Sequence, residues 1–234
     1  MIGYYICGFG LLVAVIISIV AQSLVNSRVS KYSKIQSSIN MTGRELVQRV
    51  AQENFMELSI KQCRGTLTDH YNPKDKSLNL SDVSYNSNSV AGQAIALHEL
   101  GHAMQDEEKY FPYKVRQFVV KVSGFASKFL MPLLLIGILL EVFLVNSIVG
   151  EVVIYLAVVI YGLSFMVNLA TLPVEFNASR RAKKVLDGMF ISQEEREGVD
   201  KVLDAAALTY VASTLVSLVY FLRFLYILGL FRRD

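Results

Sequence analysis

The sequence predicts a mainly α-helical membrane protein, with four transmembrane helices and a small α+β segment, containing a β-hairpin, on the cytoplasmic side. Three observations lead there. Hydrophobic residues make up 53% of the 234 and charged residues only 18%, which is too apolar for an ordinary soluble domain. Four apolar runs are long enough to cross a bilayer core, for which some 20 helical residues at about 1.5 Å each suffice. A stretch of about a hundred residues between the first two runs mixes charge, turn signals and helical periodicity.

Residues 1–27 carry no charge and form an N-terminal anchor. A cleaved signal peptide would open on a basic residue and have a shorter apolar core, roughly 7–15 residues. Residues 28–128 form the main cytoplasmic segment. Within it, Thr42–Asn54 opens on an N-cap residue and reads as a helix. Ser59–Leu67 and Ser77–Leu80 read as the two strands of the hairpin, around the turn signal Asn72-Pro73-Lys74-Asp75. Asn88 or Ser89 caps the next helix, which ends near Glu108. Tyr110–Lys128 mixes aromatics with cations and reads as an interfacial helix.

Residues 129–174 form a transmembrane hairpin. Its first run, Phe129–Val149, is interrupted only by Glu141, and its second, Val152–Val174, has no charge. Residues 175–204 form a second cytoplasmic, helical segment, and residues 205–234 the last transmembrane helix and tail. Glu141 and Arg223 are costly alone in hydrocarbon and are expected to pair.

Lysine and arginine set the orientation. Arg28, Lys31 and Lys34 follow the first span, Lys114, Arg116, Lys121 and Lys128 precede the second, and Arg180, Arg181, Lys183 and Lys184 follow the third. Asn146–Glu151 has neither residue type. The N-terminus is therefore expected outside and both polar segments in the cytoplasm. Arg232 and Arg233 at the C-terminus disagree with the other three ends. A net charge of +3 is too small to argue for a nucleic-acid partner. Cys7 and Cys63 do not make a disulfide framework, and there is no Cys-x-x-Cys pair. Any metal must use histidine and carboxylates.

The chemistry lies in AIALHELGHAMQ, Ala94–Gln105. Residues four apart share one helix face, so His98 and His102 point to one place. Imidazoles at that spacing hold Zn²⁺ at about 2.0–2.1 Å. Glu99 is offset by about 100°. It is poorly placed as a third ligand and well placed to take a proton from a water on the metal. This is the His-Glu-x-x-His device of metallopeptidases. The alternative is an amphipathic helix with two incidental histidines. Gly101 speaks against it, because glycine costs a helix about 1 kcal/mol relative to alanine and implies a close approach.

A catalytic zinc takes a third protein ligand and keeps one open position. His70, Glu175 and Asp187 are the candidates. Two spans separate His102 from Glu175, which puts both on one side of the membrane. Ser179, four residues further along, shares Glu175's face and is placed to hydrogen-bond a ligand. Leu-Asp-Gly at Asp187 occurs in intramembrane site-2-type proteases, but here it follows Arg-Arg-Ala-Lys-Lys and reads as a helix end and turn. His70, in TDHYNP, reads either as a turn histidine bonded to a backbone group or as a donor to the reaction's oxyanion or the substrate. Arg180 and Arg181 are expected to meet lipid headgroups, to help an oxyanion, or to pair with Glu194 or Glu195.

GTLTDHYNP, SVAGQAIALHELGHAMQ, LPVEFNASRRA and KVLDAAALTYVAS occur in that order. Together they resemble the YugP-like family of bacterial membrane zinc metallopeptidases, over nearly the whole chain. The resemblance implies a zincin-like, gluzincin-type peptidase in the bacterial cytoplasmic membrane. It implies one Zn²⁺ per chain on His98, His102 and Glu175, Glu99 as general base, and an active site facing the cytoplasm. It also implies aspartate where this chain has Asn177, whose amide supplies no carboxylate. Asn177 replaces it well as a helix cap and less well as the partner of a ligand or an arginine. The expected substrate is a membrane or membrane-proximal polypeptide. The rival readings are a zinc-binding, non-catalytic membrane scaffold and an intramembrane protease using Asp187.

Overall fold

The computed structural model describes the backbone of residues 2–143, 148–189 and 191–227. In chain order the elements are α1 (Ile2–Tyr32), α2 (Gly43–Glu53), β1 (Ser59–Gln62), β2 (His70–Asn72), β3 (Ser77–Leu80), α3 (Asp82–Tyr85), α4 (Val90–Glu107), α5 (Phe111–Phe143), α6 (Ile148–Gly188) and α7 (Gln193–Ile227). The chain divides into two compact units. One comprises Ile19–Lys114 with Leu172–Tyr210, the other Met1–Ser18, Val115–Thr171 and Val211–Asp234.

The first of these units carries a packed core. Leu46, Val47 and Val50 of α2, Leu78 and Leu80 of β3, and Leu97 and Leu100 of α4 are all within 2% of full burial. Leu186 of α6 and Val202 and Leu203 of α7 close the same cluster, which Val25 and Val29 of α1 complete. Burying each such side chain contributes about 1.5–3 kcal/mol. Local chemistry sets the ends of the helices. Thr42 and Glu45 make a reciprocal capping box at α2, with Thr42 N–H donating to Glu45 Oε2 (2.8 Å) and Glu45 N–H to Thr42 Oγ1 (3.2 Å). Ser89, rather than Asn88, caps α4 through Gly92 N–H. Ser192 and Glu195 cap α7 in the same reciprocal way. Glu195 also accepts from Ser38 N–H and Ser38 Oγ, so the α7 start and the loop after α1 are tied together. Glu195 is thereby committed to these partners, and its pairing with Arg180 or Arg181, one of the alternatives, is not observed.

The sheet differs from the expected hairpin. Its order is β1-β3-β2, with β1 parallel and β2 antiparallel to β3. The hairpin partner of β3 is therefore β2, and Ser59–Leu67 is not one strand. Gly65 has φ +110° and Leu67 φ +57°, which end the extended run and turn the chain back. Asp69 fixes the return by accepting from Ser81 N–H, Ser81 Oγ and Ser84 Oγ. The Asn72–Asp75 turn forms as expected, with Lys74 N–H on Asn72 Oδ1 at 3.1 Å.

Among the described residues three helices, not four, are long and apolar enough to cross a membrane: Gly8–Tyr32, Val158–Gly188 and Gln193–Tyr226. The further span expected at Phe129–Val149 runs out of the described residues. α5 is helical to Phe143, and residues 144–147 lie outside the described set. The side chain of Glu141 also lies outside it, and with it the expected pair with Arg223. The expected segment boundaries fall inside helices. α5 is one helix from Phe111, so Tyr110–Lys128 is not a separate interfacial element. α6 runs through residues 174–175 and α7 through residues 204–205 without a break. Among the described residues three polar side chains bond back to their own helix within α6, Ser164 Oγ to Ile160 O, Asn168 Nδ2 to Ser164 O and Thr171 Oγ1 to Val167 O. Such bonds satisfy polar groups where water is absent.

Candidate metal centre

α4 and α6 build the site. Gly101 lets them meet: a Cβ there would lie 2.9 Å from Ala178 O and 3.0 Å from Ala178 Cα. The close approach inferred from Gly101 is thus to the backbone of α6, one residue short of Ser179. It brings three buried side chains together, with Glu175 2% exposed, His98 8% and His102 7%. His98 Nε2 stands 3.1 Å and His102 Nε2 3.4 Å from Glu175 Oε2. The imidazoles meet edge to face, with centroids 4.9 Å apart.

The outer nitrogens explain what those three atoms are prepared for. Gln105 Nε2 donates to Val174 O (2.8 Å) and to Asn177 Oδ1 (2.9 Å). Its amide is therefore fixed with Oε1 toward His102 Nδ1, at 3.0 Å. An amide oxygen only accepts, so His102 carries its proton on Nδ1 and turns the Nε2 lone pair toward Glu175. His98 Nδ1 lies 3.1 Å from Ser179 Oγ. In the tautomer that donates to Ser179, its Nε2 lone pair points to the same place. Two lone pairs and a carboxylate oxygen then face one another, an arrangement that needs a cation between them. Donors about 2.0–2.1 Å from a tetrahedral ion stand roughly 3.3–3.4 Å apart. The observed separations fit that ion. The same geometry acts on a proton: burial disfavours the charged form of His102, but its contact with Glu175, the charges of Glu99 and Glu175 and the Gln105 bond together outweigh this and raise its pKa.

Two carboxylates stand by the imidazoles. An oxygen of Glu99 and a nitrogen of each histidine lie within 4.8 Å of one another. Glu175 is the more buried of the two and contacts both Nε2 atoms, a placement that suits a third ligand. Glu99 is half-buried and lines an open cleft of about 250 Å³, together with His98. α1 contributes Gln22, Val25 and Val29 to this cleft, and one face of α7 runs along it from Val202 to Tyr210.

The other expected residues fall as follows. His70 is exposed on β2, with Nδ1 2.9 Å from Thr68 O, and is not on the cleft wall. This is the turn-histidine alternative. Asp187 pairs with Arg196 Nε at 3.2 Å and lies twelve residues, about 18 Å, beyond Glu175 along α6. It is no part of this ligand set. Asn177 is interior to α6 and caps nothing. Its Oδ1 accepts from Gln105 Nε2 and from Arg181 Nε at 2.8 Å. Arg181 in turn grips both oxygens of Glu108, at 2.6 and 2.7 Å, and holds that carboxyl below the usual range. The partner of Arg181 is thus Glu108, rather than Glu194 or Glu195, a pairing that was one of the alternatives for it. Sequence reasoning missed Gln105. Gln105 sits three residues after His102, a spacing that puts it on the same helix face. Tyr210, in KVLDAAALTYVAS, lines the same cleft as Glu99.

No solved structure matches the chain. The "Putative membrane protease YugP" of Bacillus subtilis (strain 168) is 41% identical over 211 residues, 88% of this chain and 89% of that protein. The family model described as "Putative neutral zinc metallopeptidase" matches residues 7–229. With His98-Glu99-Leu100-Gly101-His102 in place on α4, the chain belongs to this zinc metallopeptidase family.

Proposed function

We propose that the protein is a membrane-embedded, zinc-dependent endopeptidase that cleaves membrane or membrane-proximal polypeptides at the cytoplasmic surface. The convergence of His98 Nε2, His102 Nε2 and Glu175 Oε2, with Glu99 on the adjoining cleft, carries this reading. His98, His102 and Glu175 would hold one Zn²⁺. When bound, the ion supplies Lewis-acid polarisation of the scissile carbonyl and lowers the pKa of water to about 7. Glu99 takes the proton of the attacking water and passes it to the leaving nitrogen. Gln105 holds the His102 imidazole in the ligating tautomer, and Ser179 orients that of His98. Leu67 and Asp69 lie on the cleft wall and lead directly into β2, an outer strand of the sheet. An extended substrate added to that edge gains main-chain hydrogen bonds without a sequence requirement. The cytoplasmic orientation follows from the lysine and arginine distribution.

Metal content by mass spectrometry on wild type and Glu175→Ala, with cleavage assayed on wild type and Glu99→Gln, tests the reading. One zinc per chain, reduced in Glu175→Ala, and cleavage abolished in Glu99→Gln are expected. Zinc without any dependence on Glu99 would instead indicate a non-catalytic membrane scaffold. Cleavage of freely soluble peptides alone, with membrane polypeptides in proteoliposomes left intact, would remove the proposed substrate class.

A further inference from the structure

An ion pair on a protein surface ordinarily contributes little to stability, because water screens it and two long side chains must be held in one geometry. The pair between Arg181 of α6 and Glu108, the residue that caps the end of α4, is more tightly specified than that. Arg181 Nη1 and Nη2 each donate to one oxygen of Glu108, at 2.6 and 2.7 Å. This parallel, two-bond form fixes the plane of a guanidinium. Glu108 is itself tied back to α4 by its N–H on Met104 O at 3.0 Å. The remaining edge of the guanidinium, Nε–H, is thereby aimed, and it donates to Asn177 Oδ1 at 2.8 Å. The Glu108 side chain is 58% exposed and that of Arg181 21%, so the arginine leads from solvent into the α4–α6 interface.

An amide has a donor end and an acceptor end, and its surroundings decide which way it points. Two donors, Arg181 Nε and Gln105 Nε2, converge on Asn177 Oδ1, and a flipped amide would set its NH2 against both. Asn177 Oδ1 and Val174 O then fix Gln105 Nε2 as donor, and Gln105 Oε1 faces His102 Nδ1 at 3.0 Å. The run of bonds leaves α4 at Gln105, crosses to Asn177 and Arg181 on α6, and returns at Glu108, three residues or about 4.5 Å further along. It closes a ring across the interface, with His102 attached to it.

We propose that Arg181, held by Glu108, is a positioning residue: through Asn177 and Gln105 it fixes the His102 proton on Nδ1 and keeps the Nε2 lone pair turned toward Glu175. Neither Arg181 nor Glu108 touches the ligand atoms. The consequence for zinc rests on the metallopeptidase reading, whereas the tautomer depends on hydrogen bonding alone.

The test uses the full-length chain in detergent micelles and compares wild type, Arg181→Met, Arg181→Lys and Glu108→Gln. Arg181→Met keeps most of the stem and removes every donor. The chain has three histidines, so nitrogen-15 spectra of histidine-labelled, metal-free protein resolve them. Spectra are taken at a pH where the imidazoles are neutral, and the signals lost in His102→Asn are those of His102. Wild type is expected to hold one His102 tautomer, protonated on Nδ1, and Arg181→Met a mixture of both. By chelator competition Arg181→Met is expected to bind zinc about 3–10-fold more weakly, short of the ~10–100-fold typical when a ligand's direct partner is removed. Glu108→Gln should show a smaller loss in the same direction. Arg181→Lys, which returns one donor to Asn177, should recover part of the loss. Because the pair is largely exposed at Glu108, Tm should fall by no more than about 4 °C. A wild-type tautomer together with wild-type zinc affinity in Arg181→Met overturns the proposal. So does a loss of zinc that follows a larger fall in Tm while the His102 tautomer is unchanged, because the pair would then be structural. If wild type binds no zinc, or zinc-loaded wild type is as inert as Glu99→Gln, the metallopeptidase reading fails, and the tautomer still decides this proposal.

Discussion

His98 and His102 sit one turn apart on α4 and face the same carboxylate, yet they are held in different ways. His98 leans on one hydroxyl, that of Ser179, which can donate or accept and so leaves the tautomer open. His102 leans on Gln105, whose amide is locked by Val174 O and Asn177 Oδ1, and Asn177 is itself gripped by Arg181. A single rotor thus supports one imidazole and a four-residue chain ending at Glu108 supports the other. The difference teaches that orientation is costly to specify. A hydroxyl adapts to whatever the ring offers, whereas an amide dictates one proton position only when its other end is also fixed. If the centre binds metal as proposed, His102 is the preorganised ligand, and His98 is the one that metal binding sets.

Five measurements would break or sharpen that contrast, four of them zinc affinities by chelator competition and one a thermal unfolding. Removing the atom both imidazoles share comes first: Glu175→Ala should weaken zinc binding by more than about 100-fold, beyond the ~10–100-fold expected of outer contacts. Gly101→Ala should act on both histidines together, because its Cβ meets Ala178 O at 2.9 Å. About 1–3 kcal/mol of stability should be lost as α4 and α6 part, seen as a lower Tm. A variant as stable as wild type would show that the helices have room to spare. Gln105→Leu removes the acceptor that fixes His102 and should weaken zinc roughly 10–100-fold. Ser179→Ala, on the less constrained side, should cost less, about tenfold or below. Equal losses from these two variants would dismiss the idea of unequal preorganisation. The smallest effect belongs to Asn177→Asp. A carboxylate would accept from Gln105 and Arg181 in charge-assisted bonds, about twice as strong as neutral ones. Zinc affinity should rise a few-fold at most, and a fall would mean that the neutral amide is the better anchor here.

Much of the centre was legible because it is local. His98, Glu99 and His102 lie within one helical turn and a half, where spacing alone fixes direction. Glu175 needed a topological argument, and Ser179 followed from it by helical spacing. Gln105 was equally near and was missed because glutamine has no chemistry of its own at such a site until its amide is pinned from α6. The hairpin was misassigned because Ser59–Leu67 has a strand-like pattern, while its end depends on positive φ at Gly65 and Leu67. Asn177 was read as a possible cap because a helix was expected to start near Glu175. α6 in fact passes through unbroken from Ile148 to Gly188.

By itself the sequence determined the membrane character, the helix that carries His-Glu-x-x-His, the capping of α2 and the need for a close neighbour at Gly101. These depend on composition, on a period of 3.6 and on interactions within four residues, all of which are written along the chain. Only the tertiary structure decided which carboxylate meets both imidazoles, which way Gln105 turns, that Arg181 takes Glu108, and that Tyr210 shares a wall with Glu99. Those contacts join residues more than sixty positions apart. Their geometry is set by how closely α4, α6 and α7 pack, and no local pattern encodes that.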